Sequence, residues 1–297
     1  MRRIVYLALV VACGKHDHVD SAAAASIFDQ QIVLPTVPPG ESDLTLDGSG
    51  HIWAIAERDR FASELVLAGS NVAVIEHAVD GVPDGNDTES IAWLGGSNFA
   101  LGIEGQNTKT AGVLFAELRP DGHLAVTRTR ELTDADLGVT LQVNHGSEAI
   151  CGSGDDIVVG IEERGTFPDG TKWAPLARIT TGPEGNGQLT LTKLHLTTPT
   201  GKLSALDCRF AADGSVDFVG IERHYGVERI LHGVLAPGAT DVTPTLVIDL
   251  APVIHDTYNL EGIARLPDGR IALINDNQGK TIDGPTKLLV LKARPTP

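Results

Sequence analysis

One phrase occurs five times along this chain, and an internal repeat of that length constrains the fold more than any other feature. Each copy opens on a short polar-to-apolar stretch, passes a Gly- or Asp-rich turn, and continues as an apolar run that ends in an acid. The openings are Glu41-Ser42-Asp43-Leu44, Glu89-Ser90-Ile91-Ala92, Glu148-Ala149-Ile150, Ser204-Ala205-Leu206 and Glu261-Gly262-Ile263-Ala264. The runs that follow end at Glu57, Glu104, Glu162, Glu222 and Asp276. The copies start at residues 41, 89, 148, 204 and 261, a period that suits the four-stranded blade of a propeller.

Each pair of stretches reads as a hairpin, with Asp213-Gly214 and Asp268-Gly269 as typical turns. Two more strand-like runs follow in most copies, at 114–118 with 124–126, 176–180 with 189–194, and 230–235 with 246–248. The second strand of each copy is almost uninterrupted hydrophobe, as expected of a sheet packed on both faces. Gly102, Gly160 and Gly220 fall in one column of the repeat, where backbones would crowd. After Asp276 only one clear strand remains, at 288–292. The missing fourth is expected from residues 27–34, which would close the ring and remove a sheet edge. The expectation is therefore an all-β fold, a β-propeller of five four-stranded blades closed by the N-terminal strand. Six blades is the alternative, for which no sequence is apparent.

Domain organisation follows. Arg2-Arg3 and the apolar residues 4–11 are too short to span a bilayer and read as a signal sequence over residues 1–12. Ala12-Cys13-Gly14 resembles a bacterial lipobox, which implies acylation of Cys13 and sorting to the outer membrane. Residues 13–26, with His16 and His18, read as a tether, and 27–297 as a single propeller domain. The two remaining cysteines, Cys151 and Cys208, could pair in an oxidising compartment or sit as two small buried residues. A formal net charge of −16 argues against nucleic acid and against electrostatic binding to anionic lipid. The expected partners are a small-molecule or cell-envelope ligand, with the membrane reached only through the anchor, and the expected state is a monomer.

Propeller geometry brings first-strand starts and second-strand ends to one rim. Glu41, Glu89, Glu148 and Glu261 would line the channel there, with Glu57, Glu104, Glu162, Glu222 and Asp276 beside them. The longest loops (80–88, 133–146, 164–174, 251–259 and 277–286) lie on this side, the usual mark of a functional face. Clustered carboxylates must protonate, pair with cations or bind metal. Arg58, Arg164 and Arg223 follow Glu57, Glu162 and Glu222 within two residues and would make a salt-bridged ring. Oxygen-only donors otherwise favour a hard cation, Ca²⁺ above Mg²⁺ or Mn²⁺. The metal candidates are Glu41, Glu89, Glu148, Glu261, Glu104, Glu162, Glu222 and Asp276. His145, His224 and His255 near the rim would permit a softer metal, although no His/Cys spacing demands one. No Gly-x-Ser-x-Gly, Walker or His-Glu-x-x-His signature is present, and no catalytic nucleophile is assigned.

The segment Asn259-Leu260-Glu261-Gly262-Ile263-Ala264-Arg265-Leu266-Pro267-Asp268-Gly269-Arg270, with Asn275-Asp276-Asn277 after it, resembles the phytase-like propeller family. That resemblance implies an exported propeller with bound Ca²⁺ and an esterase-like or phosphoester-hydrolysing activity. No Lys/Arg-rich run that would form a phosphate cleft is visible. A non-catalytic reading stands beside the hydrolase, in which the carboxylates hold a structural ion or salt bridges and the loops grip a partner.

Overall fold

The computed structural model describes residues 27–34, 37, 40–69, 71–181, 187–254, 259–277 and 285–292. The signal and tether segments with Cys13, and His255 at the expected rim, lie outside the described residues.

The chain opens on β1 (Phe28–Val33), which belongs to the last blade. The first blade is β2 (Glu41–Leu46), β3 (Ile52–Ala56), β4 (Phe61–Ala68) and β5 (Asn71–Asp80). The second is β6 (Asn86–Gly95), β7 (Asn98–Gly105), β8 (Ala111–Leu118) and β9 (Leu124–Leu132). A single helical turn, α1 (Asp134–Leu137), precedes the third blade of β10 (Ala149–Ser153), β11 (Asp156–Gly160), β13 (Lys172–Thr180) and β14 (Gln188–His195). A two-residue strand, β12 (Gly165–Thr166), pairs with β13. The fourth blade is β15 (Lys202–Phe210), β16 (Val216–His224), β17 (Val227–Leu235) and β19 (Thr245–Asp249). The fifth is β20 (Leu260–Arg265), β21 (Ile271–Asn275), β22 (Lys287–Leu291) and the returning β1.

The inner strands β2, β6, β10, β15 and β20 pack each against the next, and β20 packs back on β2. The ring has five members and is closed. Its apolar residues sort into five clusters, one at each blade junction. Trp53, Ile55 and Ala62 meet Ile91, Phe99 and Leu101 between the first two blades, for example. Leu44, Ile52 and Leu65 meet Ile274, Leu288 and Val290 where the last blade meets the first. The second strands therefore bury both faces, which is why β3 reads Ile-Trp-Ala-Ile-Ala without alternation. At two outer edges the blades are also stitched by parallel pairs, Val79 with Leu124 and Lys193 with Asp241 of β18 (Asp241–Val242).

Cys151 on β10 and Cys208 on β15 form a disulfide with Cα atoms 5.5 Å apart, joining neighbouring inner strands. Closing a loop of 57 residues restricts the unfolded chain by about 4 kcal/mol on the chain-entropy account. Gly102 and Gly160 do share a row. A Cβ on Gly102 would lie 2.3 Å from the Ser147 carbonyl, and one on Gly160 would lie 2.4 Å from Leu203 of the next blade. Gly220 does not share it. Gly220 pairs with Leu206, one residue further along its blade, so the fourth copy of the repeat is slipped by one relative to its motif.

Candidate functional site at the propeller mouth

A bulge near the start of the inner strands builds the mouth. In four blades the pairing skips one residue: Ser42, Glu89, Ser204 and Glu261. In the third, Glu162 N donates to Gly146 O while Ala149 pairs with Gly160, so Ser147 and Glu148 together oppose Ile161. A bulged residue leaves the ladder and is re-aimed. Ser42, Glu89, Glu148, Ser204 and Glu261 thus form one equivalent ring. A second ring is set by the second pairing before the bulge of each hairpin: Glu57 across from Gly40, Glu104 from Asp87, Glu162 from Gly146, Arg223 from Lys202, and Asp276 from Asn259.

These rings revise two of the expected rim acids by one residue each. Glu41 is not in the bulge row; Ser42 is. The Glu41 carboxylate is fully buried behind the lining, where Ser63 Oγ donates to Oε1 at 3.0 Å and Oε2 has no partner. Glu222 points away from the mouth, because its equivalents are Ala56, Ile103, Ile161 and Asn275. Its carboxylate accepts the backbone N–H and hydroxyl of both Thr197 and Thr198. Arg223 takes the place in the ring that Glu222 was expected to hold. Arg164 also does not brace an acid, since it donates to the carbonyls of Pro199, Thr200 and Gly201.

The remaining candidates converge. A cavity of about 590 Å³ is lined by Glu57, Glu89, Glu104, Glu148, Glu162, Glu261 and Asp276, together with Arg58, Lys202, Arg223 and His145. The cations fall on one part of the rim. Lys202 Nζ sits 2.7 Å from Glu162 Oε1. Arg223 bonds Glu261 and Asn259, and Asn259 Nδ2 in turn donates to Asp276 at 3.0 Å. Arg58, two-thirds exposed, lies 2.9 Å from Glu57 and 3.7 Å from Asp87.

Among the described residues Glu89, Glu104 and Glu148 make no salt bridge, and Arg223 acts on Glu148 only as a nearby charge. One oxygen from each lies within 4.8 Å of the others, and all three side chains are buried. Ser42 Oγ donates to Glu89 Oε2 at 3.0 Å and Gly146 N to Glu104 Oε2 at 3.2 Å. Glu89 Oε1 is buried with no partner. Burial first, and then the charges of their neighbours, push Glu89 and Glu148 well above the usual carboxylate range and Glu104 up to about 7. Glu261 is pushed to about 8 by burial, partly offset by Arg223. The donor set is all oxygen and one buried lone pair is unused, so the residues present fit a hard divalent cation. Glu57, Asp87 and Glu89 also bring oxygens within the same 4.8 Å, but Arg58 already pairs with Glu57 and Asp87 of that group.

Glu41 gives a separate test. Desolvation pushes it to about 8 from 4.5. Below pH 4.5 the folded and unfolded states both carry the proton. As pH rises to 8 only the folded state keeps it, so this group's contribution to stability falls across that window. Glu41→Gln is expected to stabilise the protein at pH 8.5 by a few kcal/mol and to change little at pH 5, read from urea unfolding in EGTA. Equal effects at both pH values would show that Glu41 is not a buried acid of this kind.

Residues 40–279 match the family described as phytase-like, esterase-like activity of phytase. No curated protein matches the chain in sequence. Among solved structures, the major allergen Mala s 1 of Malassezia sympodialis aligns with a TM-score of 0.57 at 7% identity, over 89% of this chain and 96% of that one. The endo-arabinase of Bacteroides thetaiotaomicron aligns at 0.50 and 8% identity, over 89% and 97%. At such identities the likeness concerns the propeller fold alone.

Proposed function

The chain belongs to the phytase-like family, and from that premise we propose that it is a Ca²⁺-dependent ester or phosphoester hydrolase acting at the propeller mouth. The observation that supports this most is the division of the rim. Arg58, Lys202 and Arg223 neutralise one part, and Glu89, Glu104 and Glu148 are left as a buried oxygen cluster. Those three glutamates would hold the ion. When bound, it supplies polarisation of an ester or phosphoryl oxygen and a more acidic water.

The chain's own groups supply the rest. His145 Nδ1 faces Glu163 Oε2 at 2.9 Å, which orients the imidazole and leaves Nε2 toward the cavity, 3.6 Å from Glu162. Nε2, which Lys202 Nζ also approaches at 3.4 Å, would take a proton from an attacking water. Arg58 and Lys202 at the lip meet the negative charge of an incoming substrate.

The test is turnover of p-nitrophenyl esters and p-nitrophenyl phosphate with Ca²⁺ and with EGTA. Expected are activity only with Ca²⁺ and a hundredfold or greater loss of kcat in His145→Ala. The non-catalytic alternative rests on the salt bridges that already tie Glu57, Glu162 and Glu261. It expects Ca²⁺ to stabilise the fold with no turnover of either substrate, and that result would replace the hydrolase.

We further infer export and anchoring in the envelope through an acylated Cys13, as a monomer presenting the loop-rich mouth to a small-molecule or envelope ligand. The Cys151–Cys208 disulfide supports an oxidising compartment. Cys13→Ala should release the protein from the membrane fraction; unchanged fractionation would remove the anchor.

A further inference from the structure

A second cluster lies on the opposite rim, at the junction of the first two blades. Asp47 and His51 come from the β2–β3 turn, and Glu64 stands on β4 directly across from Trp53. One ligand atom from each of Asp47, His51 and Glu64 lies within 4.8 Å of the others. His51 Nδ1 is 2.6 Å from Glu64 Oε1 and 4.0 Å from Asp47 Oδ2.

What distinguishes this cluster from a chance surface pairing is the layer behind it. Asp47 Oδ1 accepts the backbone N–H of Ser49 and of His51, and its Oδ2 accepts Trp53 Nε1 at 3.0 Å. Glu64 Oε2 faces His77 Nε2 at 3.0 Å, and His77 is buried, with Nδ1 2.7 Å from the Gly122 carbonyl of the second blade. Trp53 packs on His77 with ring centroids 4.6 Å apart. Both carboxylates are therefore held by partners other than the His51 ring, Trp53 on Asp47 Oδ2 and His77 on Glu64 Oε2, as the outer shell of a metal site orients its ligands. His51 is one-third exposed, so an ion and one water can reach the cluster from solvent.

We propose that Asp47, His51 and Glu64 form a site for a first-row divalent metal of the Zn²⁺ class, with water completing a tetrahedron. One imidazole nitrogen with two carboxylate oxygens is a donor set that Zn²⁺ accepts and Ca²⁺ does not prefer. Binding would use the Nδ1 lone pair of His51 in its Nε2–H tautomer and take the place of the His51–Glu64 hydrogen bond. The site would clip the β2–β3 turn to β4 and, through His77 and Gly122, to the neighbouring blade. It is independent of the mouth.

The experiment is a Co²⁺ titration of the full chain in excess Ca²⁺, in a background with His16 and His18 replaced by alanine. Expected are the visible d–d bands of four-coordinate Co²⁺ at one equivalent, with parallel partial quenching of tryptophan fluorescence and displacement of both signals by Zn²⁺. His51→Ala, at a partly exposed position, should keep the circular dichroism spectrum and lose both signals. His77→Gln should retain them with an affinity ten- to a hundredfold weaker. Absence of the bands in the unaltered site, or their survival in His51→Ala, would overturn the proposal.

Discussion

A chain lacking residues 27–34 is expected to have no cooperative monomeric melting transition and to aggregate. β1 is the outer strand of the fifth blade, paired with β22 from Phe28 across Leu291 to Val33 across Lys287. Phe28, Ile32 and Leu34 are buried, Phe28 among residues of the fourth and fifth blades and the other two where the last blade meets the first. Burial of three such side chains is worth roughly 5–9 kcal/mol, which is comparable to the whole stability of an ordinary domain. The deletion also bares the β22 edge, four of whose five residues are apolar and available for pairing with another chain. A milder version is Ile32→Ala, expected to lower stability by about 2–4 kcal/mol in urea unfolding while leaving the protein monomeric. A truncated protein that remains monomeric with an unchanged Tm would disprove closure by β1.

Replacing Glu89, Glu104 and Glu148 together by glutamine should move stability in opposite directions with and without Ca²⁺. In EGTA the unaltered protein holds three acids whose ionisation is opposed by burial and by one another. Their folded-state values are raised, so their contribution to stability is greatest at low pH and falls as pH climbs from the unfolded value toward the folded ones. At pH 8 the triple variant, free of that cost, should melt higher than the unaltered protein and show a flatter dependence on pH. With Ca²⁺ the order reverses. An ion bound only by the folded form adds about 2.7 kcal/mol at a hundredfold excess over Kd, or roughly 5–8 °C in Tm. The variant should show no response. If Ca²⁺ leaves the Tm of the unaltered protein unchanged, or still raises that of the variant, the ion does not sit on these three glutamates.

The architecture was readable because each blade repeats one hairpin, and a repeat reports itself whatever its residues do. In the third and fifth copies Glu148 and Glu261 stand at the bulge, and Glu162 and Asp276 at the second pairing before it. The first and fourth copies misled. Matching Glu41-Ser42 to Glu89-Ser90 aligns letters, yet the pairing puts Ser42 where Glu89 stands. Matching Gly220-Ile221-Glu222 to Gly102-Ile103-Glu104 fails for the same reason, and Arg223 occupies the mouth. A strand has a period of two, so a slip of one residue sends a side chain to the other face. Nothing in the composition of a bulge announces which residue it ejects. Lys202 was invisible as a site residue because its neighbour in the cavity, Glu162, is 40 positions away and on another blade. The Cys151–Cys208 pairing was open until the inner strands of the third and fourth blades were seen side by side.

The strand that closes the ring also sets when folding can finish. Phe28 is among the first described residues to be synthesised and Leu291 among the last, yet they are partners. The first four blades consist of hairpins whose strands are near in sequence, so each can assemble as it is made. The fifth must wait until β22 exists and its two ends meet across nearly the whole chain. Loop-closure entropy grows only slowly with length, so the delay is set less by free energy than by time. For that interval β1 is an unpaired strand held at one end of the chain, and a protein with this topology depends on its first strand being kept available for its last.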